Sequence, residues 1–324
     1  MFIAICYKAF MKLQQLRFLC EVARQGLNVS AAADRLHTSQ PGVSKAIRQL
    51  ETELGVEVYV RNGKRVTGIT EPGRTVLEIS ERILREAANL KRAGEDFVNE
   101  SSGTLTIATT HTQARYALPK VVKRFRARYP KVALAIHQGN PTQVSEQVLS
   151  GEAEFGIATE ALANYPALVT LPCYQWNRVV VVPPRHVLLG ARPLTLEAIV
   201  EHPVITYDFA FTGRSQTDKA FAQRGLTPNI VLTAIDADVI KSYVELGMGV
   251  GIVARMAFDP RRDRTLRAID ASHLFETSTT RLAIRAGSWL RGYAYDFIEM
   301  FAPQLARKSV EATVMGSRGS IYEL

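Results

Sequence analysis

Gln40, Ser44, Lys45 and Arg48 are spaced to fall on one side of a single predicted helix. Together they can do the chemistry of a nucleic-acid reader. Glutamine and arginine can meet base edges in the major groove with paired hydrogen bonds, while serine, lysine and arginine can meet phosphates. The other side of the same helix carries Val43, Ile47, Leu50 and Leu54, an apolar stripe that needs a core to rest on. An ordinary helical hairpin with a solvated polar face has the same pattern, so the neighbouring elements must decide.

Those neighbours supply the support such residues require. Thr38 is placed to cap the helix, and Pro41 falls in its first turn, where a missing N–H does no harm. A shorter alanine-rich helix precedes it, starting after Asn28 or Ser30 and turning at His37-Thr38 with Leu36 directed inward. Upstream, Leu13, Leu16, Phe18, Leu19, Val22 and Ala23 predict an amphipathic helix that completes a three-helix core. Downstream, residues 56–69 predict a hairpin with Asn62-Gly63 as its turn. Arg61, Lys64 and Arg65 make its tip basic, suited to gripping the phosphate backbone.

Residues 11–73 resemble the winged helix-turn-helix of LysR-type transcriptional regulators. The resemblance is carried by LQQLRFLCEVARQGLNVSAAADRLHTSQPGVSKAIRQLETELGVEVYVR and by the following Thr70-x-x-Gly73-x-x-Val76. It implies a DNA-binding face of Thr38, Ser39, Gln40, Pro41, Ser44, Lys45 and Arg48, with Arg61, Lys64 and Arg65 on the wing.

The 324 residues allow more than one domain, and 47% hydrophobic with 22% charged residues describes a globular chain rather than a disordered one. The formal net charge of +9 suits nucleic acid, but basic enzymes are common. Cys6, Cys20 and Cys173 offer neither a disulfide framework nor a metal spacing, which favours a reducing cytoplasm. No apolar run is long enough to span a bilayer, so no membrane partner is expected. MFIAICYKAF lacks the layout of a signal peptide; residues 1–10 read as a start-site extension or a disordered arm.

Catalytic motifs are missing. Gly249-Val-Gly251 leads from a helix into a strand, the reverse of a dinucleotide fingerprint. The six histidines show no metal spacing, and there is neither a nucleophile elbow nor a P-loop. Asp236-x-Asp238 reads as a helix cap. The expectation is therefore no enzyme, no catalytic residue, no metal and no cofactor.

Beyond the wing, residues 71–99 predict a long helix. Val76, Ile83, Leu90 and Phe97 recur every seven residues, with Ile79, Ala87 and Ala93 in support. This is either a short coiled-coil seam joining two subunits or a helix packed on its own domain. The linker and hinge are assigned to residues 74–102. From residue 103, strands and helices alternate, predicting a mainly parallel α/β system in two lobes. The first lobe takes about 103–170 plus 275–305 and the second about 171–274; residues 306–324 form a weakly patterned tail. The expected fold class is thus α/β: winged helix-turn-helix, linker helix, and a two-lobed effector domain of periplasmic-binding-protein type.

Ligands of open α/β sheets bind beyond the carboxyl ends of strands. Three polar segments qualify: residues 108–113, Thr159-Glu160 and residues 211–215. Each threonine could instead cap its helix, and Thr110-x-x-Gln113 is a possible capping box. Across residues 11–305 the chain is also similar to the cysteine-regulon (CysB-like) subfamily of LysR-type regulators, through ATTHTQARYALP, HQGNPTQV, FGIATEAL, LPCYQWNRVVV, FTGRS and TAIDADVIKSYVELGMGVGIVA. That similarity implies an effector pocket of Thr110, Thr112, Gln113, Thr159, Trp176 and Thr212. It also implies N-acetylserine or O-acetylserine as inducer, opposed by sulfate or thiosulfate. The implied partners are promoter DNA, RNA polymerase and further copies of the chain, as a homotetramer. The implied output is activation of sulfate assimilation and cysteine synthesis, with a paralogous regulator of sulfonate use as the alternative.

Overall fold

The apolar stripe of the reading helix organises the first compact unit, which ends at Gly94. The computed structural model describes residues 11–63, 65–98, 102–208 and 212–316, with the backbone alone at 95–98 and 212–213. Helices α1 (Leu13–Arg24), α2 (Val29–Arg35) and α3 (Gln40–Leu54) enclose Leu16, Leu19, Val22, Val43, Ile47 and Leu50. Asn28 caps α2, accepting the Ala31 N–H at 3.0 Å. Ser39 rather than Thr38 caps α3, accepting the Gly42 N–H at 3.3 Å, because Ser39 is the extended residue directly before the first turn. Leu54 departs from the expected stripe and is 39% exposed. Buried Glu51, one turn after Ile47, takes its place. Its carboxylate accepts the Val58 and Tyr59 N–H groups at 2.9 and 3.2 Å and pairs with Arg61 at 2.7 Å.

The wing is an antiparallel hairpin of β1 (Tyr59–Asn62) and β2 (Arg65–Ile69), with Asn62 opposite Arg65 and Gly63 at φ +61°. The Thr-x-x-Gly motif then has a local cause. Thr70 Oγ1 donates to the Glu57 carbonyl at 2.6 Å and accepts the Gly73 N–H at 2.9 Å. A Cβ on Gly73 would lie 2.2 Å from the Val58 carbonyl oxygen, so only glycine lets the next helix start there. That helix, α4 (Glu71–Val98), has 28 residues, about 42 Å at the usual rise. Its predicted seam divides. Val76 and Ile83 pack on the core of their own unit with Leu77 and Leu84, whereas Ile79 and Leu90 stand exposed. The side chain of Phe97 lies outside the described residues, as do residues 1–10, 99–101 and 317–324.

The second unit starts at Glu95. In chain order it runs β3 (Ser102–Thr109), α5 (Leu118–Arg128), β4 (Lys131–Gln138), α6 (Pro141–Ser150), β5 (Phe155–Ala158), β6 (Leu168–Trp176), β7 (Arg178–Val182), α7 (Leu196–Val200) and β8 (Val204–Tyr207). It continues through α8 (Thr212–Gln223), β9 (Ile230–Ala234), α9 (Ala237–Glu245), β10 (Val250–Ala254), β11 (Arg267–Asp270), β12 (Ser278–Arg285), α10 (Gly292–Phe301) and α11 (Arg307–Met315). Two sheets result, in the orders β4-β3-β5-β12-β6 and β11-β7-β10-β8-β9. Each has an apolar core on both faces, which is why runs such as Val179–Val182 are apolar throughout.

Three expectations need correction. The sheets are mixed rather than mainly parallel. The chain crosses between lobes from β6 to β7 and from β11 to β12, and β7 and β12 run antiparallel to both neighbours. β6 stays in the first sheet to its end, with Trp176 opposite Ser278. The crossing therefore falls at Asn177, so residues 171–176 belong to the first lobe. Finally, the tail holds α11, whose Val310 and Val314 are buried in the first-lobe core.

Candidate functional site

On α3, Gln40, Lys45 and Arg48 are exposed and Ser44 half-buried, with the Gln40 amide donating to Ser44 Oγ at 3.1 Å. Thr38, Ser39 and Pro41 are exposed at the helix start. Gln40, Ser44, Lys45 and Arg48 line one groove together with Lys12 and Gln49. A second recess joins Gln40 to Arg65 of the wing and Ser30 of α2. No acidic residue sits in the first turn of α3, so its positive dipole end faces this surface uncompensated. Arg61 differs from the expectation: its guanidinium turns back onto Glu51, and it serves the joint between α3 and the wing. Lys64 lies outside the described residues.

In the second unit, sheet topology gathers the other predicted residues. β3, β5 and β6 run in one direction and β12 against them. Thr110, Thr159, Trp176 and the start of β12 thus share one sheet edge. The facing edge of the other sheet carries Tyr207 at the end of β8, Ala254 at the end of β10 and Arg178 at the start of β7, directly opposite Ala254. Thr112 hydrogen-bonds the Tyr207 phenol across the gap. Thr110 and Thr159 are 7% and 8% exposed. Gln113 is buried, with its amide donating to Thr280 Oγ1 at 3.0 Å and its carbonyl accepting the Tyr174 hydroxyl. That commitment takes the amide away from Thr110, and the possible capping box does not form. The Thr212 side chain lies outside the described residues.

Some groups at this edge are buried without a protein partner: Trp176 Nε1, Thr206 Oγ1, Glu160 Oε2 and His111 Nδ1. The other Glu160 oxygen accepts the Thr279 N–H at 2.5 Å. Arg178, absent from the expected site, is 2% exposed. Its guanidinium donates to the Glu276 carbonyl at 3.0 Å and Ser278 Oγ at 3.1 Å and stacks 5.2 Å from the Trp176 ring centroid. Burial draws its pKa below the ordinary arginine value, while the negative side of Glu160 and Tyr207 opposes that. With Thr277 Oγ1 on Asn177 Oδ1 at 2.9 Å, it ties one inter-lobe crossing to the other. The one sequence signal for it was a cation leading an otherwise apolar, buried strand.

A cavity opens between the lobes against His111, Gln138, Asn140, Gln143, Asp208 and Ile235. Thr110, Thr112, Gln113, Thr159 and Trp176 do not line it; they lie at the strand ends and the helix start that follows β3. His111 approaches Asp236 and Asp238 closely enough for ligand atoms to fall within 4.8 Å of one another. Both carboxylates have other work. Asp236 caps α9, accepting the Val239 N–H at 2.8 Å. Asp238 accepts from Tyr116 at 2.6 Å and pairs with Arg115 and Lys241 at 3.3 and 3.2 Å. Burial opposes ionisation of Asp238, but Tyr116, Lys241 and Arg115 outweigh it and hold the carboxyl below its ordinary range. Among the described residues, no helix is long and apolar enough to cross a membrane.

Comparison with known proteins covers both units. Residues 13–74 match the bacterial regulatory helix-turn-helix protein, lysR family, and residues 99–306 match the LysR substrate binding domain. The chain is 58% identical to the HTH-type transcriptional regulator SsuR of Burkholderia cenocepacia, over 91% of this chain and 96% of that protein. It is 54% identical to the HTH-type transcriptional regulator CysB of the same species, over 97% and 100%. Among solved structures, the cofactor-binding domain of the Cbl transcriptional regulator is 45% identical with a TM-score of 0.65, over 68% of this chain and 96% of that one.

Proposed function

Because this chain belongs to the LysR family of bacterial transcriptional regulators, we propose that it activates promoters of sulfate assimilation and cysteine synthesis in answer to an acetylserine held between its lobes. Gln40, Ser44, Lys45 and Arg48 read the operator, with Thr38, Ser39 and Pro41 at the helix start and Lys64 and Arg65 on phosphate. Copies of the chain pair on two half-sites, as a tetramer in contact with RNA polymerase. Thr110, Thr112, Thr159, Trp176 and Thr212 receive the effector, and Gln113 positions the strand end beside them.

The observation that carries this reading is the set of buried, unpartnered polar atoms where the strand ends meet. Such atoms are rare in native proteins unless a ligand or water satisfies them. Trp176 Nε1 and the Thr206 hydroxyl can donate, suited to a carboxylate or a sulfur oxyanion. Glu160 Oε2 can only accept, which suits the hydroxyl or N–H of an acetylserine and repels sulfate or thiosulfate. An inducer and an anion that compete for the donors but differ at Glu160 would favour different lobe arrangements, which is what effector control requires.

Footprinting with the full-length protein tests the proposal. Protection upstream of sulfur-assimilation genes should change in extent when N-acetylserine is added and revert with sulfate. No specific protection at moderate salt, with or without either compound, would sink it. The identity to SsuR exceeds that to CysB of the same species, which supports a second reading as a paralogue of the cysteine regulator, for which the sequence offers a regulator of sulfonate use. In that case protection falls upstream of sulfonate genes and is absent from cysteine genes.

A further inference from the structure

Between the predicted pocket and α5 lies a single π-helical turn, Gln113–Ala117. Widened turns of this kind redirect side chains that a regular helix would keep on one face. This one reaches both ways. Gln113, its first residue, is anchored inside the first lobe on Thr280 and Tyr174. Tyr116 instead packs its ring against the apolar cluster of the second lobe, which includes Ala237, Ile240 and Val244. Its hydroxyl donates to Asp238 Oδ1, and Arg115 Nε approaches the other oxygen of the same carboxylate.

Asp238 is not the cap of α9, a task Asp236 performs, so helix formation does not require it. Behind it stands Lys241, 7% exposed. The Lys241 ammonium lies 3.2 Å from Asp238, 2.9 Å from Asp263 and 2.9 Å from the Ala257 carbonyl, and 5.4 Å from the centre of the Tyr116 ring. The second lobe thus holds a socket of two carboxylates around one ammonium, and the first lobe supplies the Tyr116 hydroxyl that fills it, with Arg115 beside it as the balancing cation.

We propose that Tyr116 is a latch between the lobes, a positioning residue that couples occupancy at Thr110 and Thr112 to lobe arrangement through the π turn that follows them. The coupling rests on the effector cleft proposed above; the latch itself does not. The Tyr116–Asp238 bond exists only while the lobes approach as they do here, so it stabilises that arrangement and every ligand that prefers it. By linkage, a ligand at the strand ends tightens the latch by the same factor that the latch tightens the ligand.

The test uses full-length protein with Tyr116→Phe, Asp238→Asn and both together. Phenylalanine keeps the ring in its apolar seat, so the thermal midpoint should stay at the wild-type value. Hydrogen exchange should quicken in two segments on opposite lobes, residues 113–117 and 237–241, while β3 and β10 stay protected. Calorimetric affinity for N-acetylserine or for sulfate should fall roughly tenfold with Tyr116→Phe, and the double variant should be no worse than Asp238→Asn alone. Unchanged exchange, or faster exchange at 113–117 alone, overturns the latch. Unchanged affinity for a compound that binds the wild type overturns the coupling. A wild type that binds neither compound counts against the effector reading, and the exchange comparison then decides the latch alone.

Discussion

On α3, Gln40, Lys45 and Arg48 lie open on the helix surface, and no apolar contact depends on them. At the strand ends of the second unit, Thr110, Gln113, Thr159 and Arg178 are all less than a tenth exposed, and Gln113 and Arg178 are engaged by other side chains and carbonyls. The contrast follows from what each surface meets. A reading helix must present unspent hydrogen bonds to a long polymer, and its folding energy comes from the opposite stripe. A small ligand must be enclosed, so the groups that enclose it also build the lobes. Stability and function should separate cleanly in the first unit and be entangled in the second.

The first unit contains its own exception, and the largest expected effect belongs there. Glu51→Ala would strip partners from the Val58 and Tyr59 N–H groups and from Arg61. It should cost about 2–4 kcal/mol, read as lost exchange protection in α3. A wild-type pattern would mean that the joint between α3 and the wing rests on packing alone. Arg48→Ala, on the open face, should weaken specific DNA binding by about 1–3 kcal/mol and leave stability and effector binding as they were. If both binding activities fall together, the proposed separation of stability from function in this unit is broken. Thr110→Val removes one hydroxyl from the strand-end cluster. A loss of about 1 kcal/mol in calorimetric affinity for sulfate or N-acetylserine is expected, together with a loss of stability of about the same size in a variant that still folds. Unaltered affinity would leave Thr110 a residue of the lobe alone.

Much of the fold was legible because its local signals are strong. The 3.6-residue stripe of α3, the Asn28 cap, the Asn-Gly turn of the wing and the strand–helix alternation after residue 103 each depend on neighbours in sequence. The misreadings share a different cause. Val310 and Val314 give α11 only two buried positions, too few to form a pattern. Leu54 follows the stripe but sits at the helix end, while Glu51 breaks the pattern and is buried because the wing brings Arg61 and two N–H groups to it. Arg178 carries no motif; its role arises where two crossings meet.

The sequence by itself determined that this chain has a DNA-reading helix with its supporting core, a long linker helix and two α/β lobes, since periodicity and turn chemistry are written within a few residues. It also placed threonines at strand ends. Only the tertiary structure decided which of these polar groups are spent and which are not. It turned Arg61 inward, committed Gln113 to Thr280 and Tyr174, left Trp176 Nε1 without a partner, and set Tyr116 on Asp238, 122 positions away in the chain. Hydrogen-bond satisfaction depends on groups that only folding brings together, so no local reading of residues could have made those assignments.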